Sequence, residues 1–359
     1  MKFSVVVATH SFAFGTSQGL KAYLERKKAP HYFIQHRLFG NPLTWFIGMI
    51  DTFWKVISQK ELFEIFIGSN RLNAFVGIWL KKFGKVKKVV YFSPDWVEDR
   101  FKGNRLLNSL YQWLDYYCVT HADITWNSST IMDLDPMMQQ RLRAGYPEVL
   151  LKKQIQVPDG TDEFPEIPLS QVDRYRLGFI GHLRKGMGAA LIVKAFPLIQ
   201  KALPKISCII IGSGPEEKHL RKMAHNSGIE FTGFMGDIQE VYKTLSKCAV
   251  ALAPYRNTKD NMSQYTDPGK VKVYLSISLP VIITSVPKIA EEIHQKQAGL
   301  MIADNPTELV NAVIKLLTDQ KMLITFRHNA HLFSQKYSWN TIFDRALSLT
   351  LDYKNQASI

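Results

Sequence analysis

Twelve short apolar runs, each followed by a segment long enough for a helix, set the strongest constraint on this chain. The first six are "FSVVVAT" (3–9), "HYFIQH" (31–36), "FEIFIGS" (63–69), "KKVVYFS" (87–93), "ADITWNS" (122–128) and "KQIQVPDG" (153–160). A second series follows: "RLGFIGH" (176–182), "ISCIIIGSG" (206–214), "IEFTGF" (229–234), "AVALAP" (249–254), "PVIITS" (280–285) and "AGLMIA" (298–303). Strands that are apolar throughout, without alternation, belong to parallel sheets covered on both faces by helices. Two series therefore predict two doubly wound α/β units. The acid-, Pro- and polar-rich stretch "GTDEFPEIPLSQVDRY" (160–175) reads as the linker. No short-period repeat or low-complexity tract interrupts the pattern.

At 359 residues the chain suits two domains of ordinary size, and 46% hydrophobic content is enough to build both cores. Cys118, Cys208 and Cys248 are scattered, without metal-ligand spacing, so a reducing compartment and a cytoplasmic location are expected. Residues 1–9 run directly into a strand, which leaves no room for a signal peptide, and no run reaches the ~18 apolar residues of a spanning helix. Net charge is +14 and is densest near the N-terminus, where residues 1–60 hold eight Lys or Arg against two acids. Such a surface attracts nucleic acid, anionic lipid or phosphorylated ligands, or serves solubility alone.

In open α/β sheets ligands bind beyond the carboxyl ends of the strands. Three strand-to-helix loops therefore matter. In "ATHSFAFGTSQGL" (8–20), Gly15 and Gly19 allow close backbone approach, but the dinucleotide order of glycines is absent, and an ordinary flexible loop is equally open. In "GFIGHLRKGMGAALIVKAF" (178–196), His182, Arg184 and Lys185 sit on a glycine-rich turn before an amphipathic helix, a pattern suited to pyrophosphate or to a solvated basic turn. In "IIIGSGPEEKHLRKMA" (209–224), Glu216 and Glu217 oppose an anion, so that turn reads as structural. A fourth stretch, "YTDPGKVKVYLSISLPVIIT" (265–284), opens a helix at Pro268 and Gly269 and places Lys270 and Lys272 beside free amides. These lysines either meet an anion or snorkel from a helix face.

In this order, "GHLRKGMGAALIVKAF", "IIIGSGPEEKHLRKMA", "IEFTGFMGDIQEVYKTLSKCAVALAPY" and "PGKVKVYLSISLPVIIT" resemble the C-terminal domain of family-4-type glycosyltransferases of the GT-B fold. "VPDGTD" (157–162) resembles that family's interdomain strand end, and "YSWNTIFDRALSLTLDY" (337–353) its final helix. "VVYFSPDWVEDRF" and "ADITWNSSTIM" resemble the branch of xanthan glucuronosyltransferase and teichuronic acid glycosyltransferases. The resemblance implies two Rossmann-like domains, 1–162 and 163–335, facing across a cleft, with a helix in 336–359 crossing back to the first. It implies transfer of a sugar from a nucleotide diphosphate donor, held mainly by the second domain, to an acceptor hydroxyl on the first. The product would enter cell-surface polysaccharide or glycolipid.

Carried onto this chain, the family's phosphate-gripping Lys-Gly pair falls on Lys185 and Gly186, and its Arg position on His182, with Arg184 as substitute. Gly15, Met235, Tyr265, Gly269, Lys270 and Lys272 complete the expected donor set. The family's two glutamates are replaced by Tyr265 and Val273, which puts the ribose contact in question. Asp95 in "FSPDW" is the candidate general base, with Glu98 and Asp99 as alternates and loop capping as the bland reading. No metal or other cofactor is expected: Asp133 and Asp135 in "MDLDP" look like helix caps, and the basic loops supply the charge.

The stretch 41–59 concentrates Trp45, Phe46, Phe53 and Trp54 with other apolar residues in one helix length, and "KKFGKVKK" (81–88) adds five lysines. It either covers the first sheet or lies in a bilayer interface beside a lipid-linked acceptor, on the inner face of the membrane. A sugar-nucleotide epimerase and a two-lobed binding protein are the alternative classes. No nucleic-acid reading motif is present.

Overall fold

The computed structural model describes residues 4–10, 15–36, 42–93, 99–128, 141, 144–147, 154–225, 227–258 and 268–353. It divides into unit 1, Met1–Gly160 with Trp339–Ile359, and unit 2, Thr161–Ser338.

Unit 1 carries a six-stranded parallel sheet in the order β2-β1-β3-β4-β5-β6. Its strands are β1 Val5–Thr9, β2 His31–Gln35, β3 Phe63–Ser69, β4 Val86–Ser93, β5 Ile124–Asn127 and β6 Gln154–Gln156. β1 and β3 are buried almost throughout, as continuous apolar runs require. Helices α1 (Thr16–Arg26), α2 (Pro42–Ile57), α3 (Arg71–Lys82) and α4 (Arg105–His121) follow β1 to β4 in turn. Asn70 and Asn104 cap α3 and α4 with their side-chain oxygens. The helix at the C-terminal end, Trp339–Asp352, belongs to this unit. Its Trp339 ring lies so close to Gly19 and Gly160 that a Cβ at either would come within 2.4 Å of it. Asp344 accepts from the Tyr23 hydroxyl, and Thr350 from the Trp126 indole.

Unit 2 carries the second six-stranded parallel sheet, in the order β12-β11-β10-β7-β8-β9. Its strands are β7 Asp173–Ile180, β8 Ser207–Ile211, β9 Ile229–Gly233, β10 Cys248–Ala253, β11 Val281–Thr284 and β12 Gly299–Ile302. Counted within the unit, the order is that of a dinucleotide-binding doubly wound sheet, with its topological switch between β7 and β10. All twelve expected strands form, several of them shorter than their apolar runs. Helices α5 (Ala189–Ala202), α6 (Glu217–Met223), α7 (Ile238–Leu245), α8 (Gly269–Ser276), α9 (Ile289–Gln295), α10 (Pro306–Thr318) and α11 (Gln320–Ser334) complete it. One core layer joins β7 and β8 to α5 and α10, and the other joins β10 and β11 to α8 and α9. Among the described residues no helix is long and apolar enough to cross a membrane.

Candidate functional site

The switch point in unit 2 is built by close backbone contact. A Cβ on Gly212 would lie 2.0 Å from the Gly181 carbonyl oxygen, so only glycine lets the β8 turn seat against the end of β7. The Leu183 amide donates to Ser213 and its carbonyl accepts from Glu216, which ties the two turns together. The β8 turn is therefore a packing device, as its acids suggested, and Glu217 pairs with Arg221 one turn on. Gly188 has φ 84, and a Cβ there would lie 1.7 Å from the Pro254 carbonyl oxygen. Gly188→Ala is expected to lower unit 2 stability by at least ~1–2 kcal/mol, the left-handed penalty alone. Urea unfolding checks this, and an unchanged midpoint would mean that the loop relaxes freely.

These contacts present His182, Arg184 and Lys185 as exposed side chains on the turn after β7. Among the described residues Arg184 and Lys185 make no ion pair. The Gly186 carbonyl accepts from the Arg256 amide, and the Arg256 guanidinium pairs with Asp304, so the loops after β7, β10 and β12 are joined.

Helix α8 meets this group end-on. Pro268 is its cap, no side chain among the described residues caps it, and the amides of Gly269 and Lys270 have no intrahelical acceptor by helix geometry. The Lys270 stem is partly exposed, but its Nζ is shielded from water and, among the described residues, has no hydrogen-bond partner. It lies 4.4 Å from the Phe179 ring centroid, 4.2 Å from that of Tyr255, and 3.5 Å from the place a Cβ on Gly181 would take. Burial pushes the Lys270 ammonium down to about 7. The two ring faces favour the charged form and offset part of that cost.

Lys272 is not brought to this point. It is wholly buried, and its ammonium lies over the Tyr337 ring, 4.6 Å from the centroid. Two residues along a helix turn a side chain through about 200°, so Lys270 and Lys272 leave on opposite sides. Neither lysine snorkels from an exposed face. Val273 packs on the core, and Met235 is half-buried in the turn after β9. Gly15 lies in unit 1 as the N-cap of α1, with φ 110. Tyr265, Asp95, Glu98, Asp133 and Asp135 lie outside the described residues. Asp99 is described: its carboxylate accepts from the Gly103 amide and the Asn108 side chain, a capping role.

In unit 1 the ends of β4 and β5 are held by a buried charged cluster. Asp115 accepts from Arg141 through both oxygens, and also from the Tyr91 and Tyr146 hydroxyls. Arg141 is fully buried and donates to the Ser93 hydroxyl and to Asn127. The two arginines beside Asp115 outweigh its burial and hold its carboxyl below the usual carboxylate range. The cluster thus clamps Ser93, two residues before Asp95.

Helix α2 has one buried and one exposed face. Gly48, Thr52 and Val56 form a buried stripe at helical spacing, while Phe46 and Trp54 stand 56% and 64% exposed. Phe53 is half-buried against Phe83, and Trp45 packs on Phe101. The lysines of 81–88 are not a free polybasic patch. Lys81 pairs with Asp123, Lys87 with Glu64, Lys82 bonds Tyr117, Lys85 bonds the Gln59 carbonyl, and Lys88 bonds the helix end at Thr350 and Leu351. Each reaches a neighbouring acid, hydroxyl or carbonyl, so these charges serve unit 1 itself.

Residues 174–319 match the family model described as Glycosyl transferases group 1. The matched stretch lies wholly within unit 2. The switch-point residues around Lys185 and Lys270 all lie in this matched stretch. A GDP-mannose-dependent alpha-(1-6)-phosphatidylinositol monomannoside mannosyltransferase of Mycobacterium tuberculosis is 25% identical over 199 residues, 51% of each protein. The uncharacterized glycosyltransferase MJ1178 of Methanocaldococcus jannaschii is 23% identical over 219 residues, 60% of this chain and 57% of that one. The chain thus spans about half the length of the curated relatives it matches. Among solved structures, Anabaena Alr3699/HepE in complex with UDP aligns with TM-score 0.66 at 14% identity, covering 98% of this chain and 100% of that one. Sucrose-phosphate synthase from Thermosynechococcus elongatus aligns with TM-score 0.69 at 14% identity, covering 99% and 100%. The fold is GT-B, two Rossmann-like parallel-sheet domains.

Sequence reading missed the rings under Lys270, although the motif ending "AVALAPY" closes on Tyr255 at a strand end. It missed Arg256 for the same reason: a cation just past a strand carries no local signal without its partner Asp304.

Proposed function

We propose that the chain moves a sugar from a nucleotide diphosphate-sugar to an acceptor hydroxyl, in cell-surface polysaccharide or glycolipid synthesis. The observation that carries this is the Lys270 ammonium, shielded and, among the described residues, unpartnered, at the start of α8 beside the turn of Arg184 and Lys185. A buried cation without a counter-charge is costly, and an arriving diphosphate removes that cost. Negative charge grows on the leaving nucleoside diphosphate as the glycosidic bond breaks. Lys270, Lys185, Arg184 and the Gly269 and Lys270 amides would stabilise it, with His182, Gly15 and Met235 as further donor contacts. That supply of positive charge supports transfer without a metal.

The complexes of HepE with UDP and with UDP-glucose and the GDP-mannose-dependent mannosyltransferase support a nucleotide diphosphate donor. The resemblance of the first half to the xanthan and teichuronic branch supports Asp95 as the base that takes the acceptor proton. The exposed aromatic face of α2 supports a lipid-linked acceptor and peripheral contact with an anionic membrane.

Calorimetry with UDP and GDP tests the donor side. Lys270→Met is expected to weaken nucleoside diphosphate binding by ~1.5–3 kcal/mol, the scale of a hydrogen bond to a charged group, with Lys185→Ala changing in the same direction. Unchanged affinity in both variants would remove the site from the switch point.

The pH dependence has a definite sign. In the empty protein Lys270 titrates near 7 instead of 10.5. The unfolded chain therefore holds more protons between these values, and the stability of the empty unit rises with pH across that window. A bound diphosphate favours the charged amine and raises its value, so binding takes up a proton and weakens as pH climbs above about 7. Titrations in two buffers of different ionisation enthalpy read that proton. Lys270→Met should lose it.

A further inference from the structure

Asp304 follows the edge strand β12, yet its carboxylate acts two strands away, on the loop after β10. Its Oδ1 lies 2.7 Å from Arg256 Nε. Its Oδ2 accepts from that nitrogen at 2.9 Å and from the Asn257 amide at 2.9 Å. The Asp304 side chain is 17% exposed and that of Arg256 33%, so solvent screens the pair only in part. A carboxylate that accepts from a guanidinium and a backbone amide together fixes the loop's geometry as well as its charge.

The loop carries Tyr255. Its ring is buried, with its centroid 4.2 Å from the Lys270 ammonium. The Tyr255 carbonyl accepts from the Thr284 hydroxyl at the end of β11, at 2.6 Å. One residue on, the Arg256 amide donates to the Gly186 carbonyl at 3.1 Å, next to Lys185. One residue before, the Pro254 carbonyl sits against Gly188, where no Cβ fits. Asp304 adds the tie to the far edge of the sheet. On charge alone, an acid in these loops opposes a bound diphosphate, so its use there is in placing other groups.

We infer that Asp304, acting through Arg256, is a positioning residue for the donor: it holds the Tyr255 ring under the Lys270 ammonium and the Gly186 backbone beside Lys185. The inference rests on the donor reading above and adds to it a residue that works through its neighbours.

The test uses the full chain and UDP, with calorimetry on Asp304→Asn, Arg256→Gln and the double variant. Asp304→Asn keeps the shape and one acceptor oxygen and removes the charge that holds the guanidinium. Positioning predicts UDP binding weakened about tenfold in each single variant, the scale of losing a residue that orients a ligand-binding group. The double variant should bind no worse than the weaker single one, since both remove one interaction. Charge alone predicts the opposite sign for Asp304→Asn, because taking an acid away from a diphosphate site tightens binding. Tighter or unchanged binding in Asp304→Asn, or additive losses in the double variant, would overturn the inference.

Proton uptake supplies a readout that a mere loss of stability does not move. With the ring released, water reaches the Lys270 ammonium, and its value climbs from about 7 toward 10.5. UDP binding at about pH 8 then takes up fewer protons than in the wild-type chain. Undiminished uptake in both single variants would leave the pair a structural role only and sink the proposal. Should Asp304→Asn not fold, Arg256→Gln carries both readouts. If the wild-type chain binds UDP and Lys270→Met weakens it while Asp304→Asn does not, this inference alone falls. If the wild-type chain binds neither UDP nor GDP, the donor reading falls with it.

Discussion

Asp115→Ala is expected to destabilise unit 1 by about 3–5 kcal/mol, the cost of removing one partner from a buried ion pair. The side chain is fully buried and answers to Arg141, itself fully buried, and to Arg71, 6% exposed. Its loss leaves two guanidinium groups in the interior without counter-charge, and the Tyr91 and Tyr146 hydroxyls without their acceptor. Urea unfolding followed by tryptophan fluorescence measures the change. Glu64→Ala, which breaks the exposed pair with Lys87, is the reference and should cost under about 1 kcal/mol. Asp115→Asn should fall between them, since it keeps one acceptor oxygen but not the charge. If Asp115→Ala cost no more than Glu64→Ala, the cluster would not be what holds the ends of β4 and β5. The stake is functional as well, because Arg141 fastens Ser93 just before the segment that carries Asp95.

Asp95→Asn is expected to lower sugar transfer by ~10²-fold or more while leaving nucleoside diphosphate affinity unchanged, as loss of a general base does. The amide keeps the shape and removes the proton acceptor. The acid limb of the pH–rate profile should disappear with it. Full activity in this variant would move the base elsewhere. A parallel loss of UDP binding would show that the substitution disturbs the donor site and not the proton transfer.

The basic turn after β7 and the start of α8 were legible because they are local. Glycines before cations at a strand end name a turn that accepts an anion, and Arg184, Lys185 and Gly269 are found where their order along the chain places them. Lys270 and Lys272 show the limit. They read alike in sequence, but helix register sends one to the rings of Phe179 and Tyr255 and the other to Tyr337. The lysines of 81–88 show it again. They read as a basic patch for a membrane, yet they reach Asp123, Glu64 and the chain end near Thr350, partners up to 263 positions away. The reach of Asp304 to Arg256 and Asn257 left no trace, since the sheet order alone brings the ends of β10 and β12 within bonding distance.

The sequence by itself determined the two α/β units, because strand and helix periods are properties of neighbouring residues. It also determined the basic, glycine-rich turns at the strand ends. Tertiary structure alone decided the strand orders, which rings each of the two α8 lysines meets, and where two arginines share one tyrosine. Those outcomes depend on which distant surfaces exclude solvent from each other, and no local pattern encodes that.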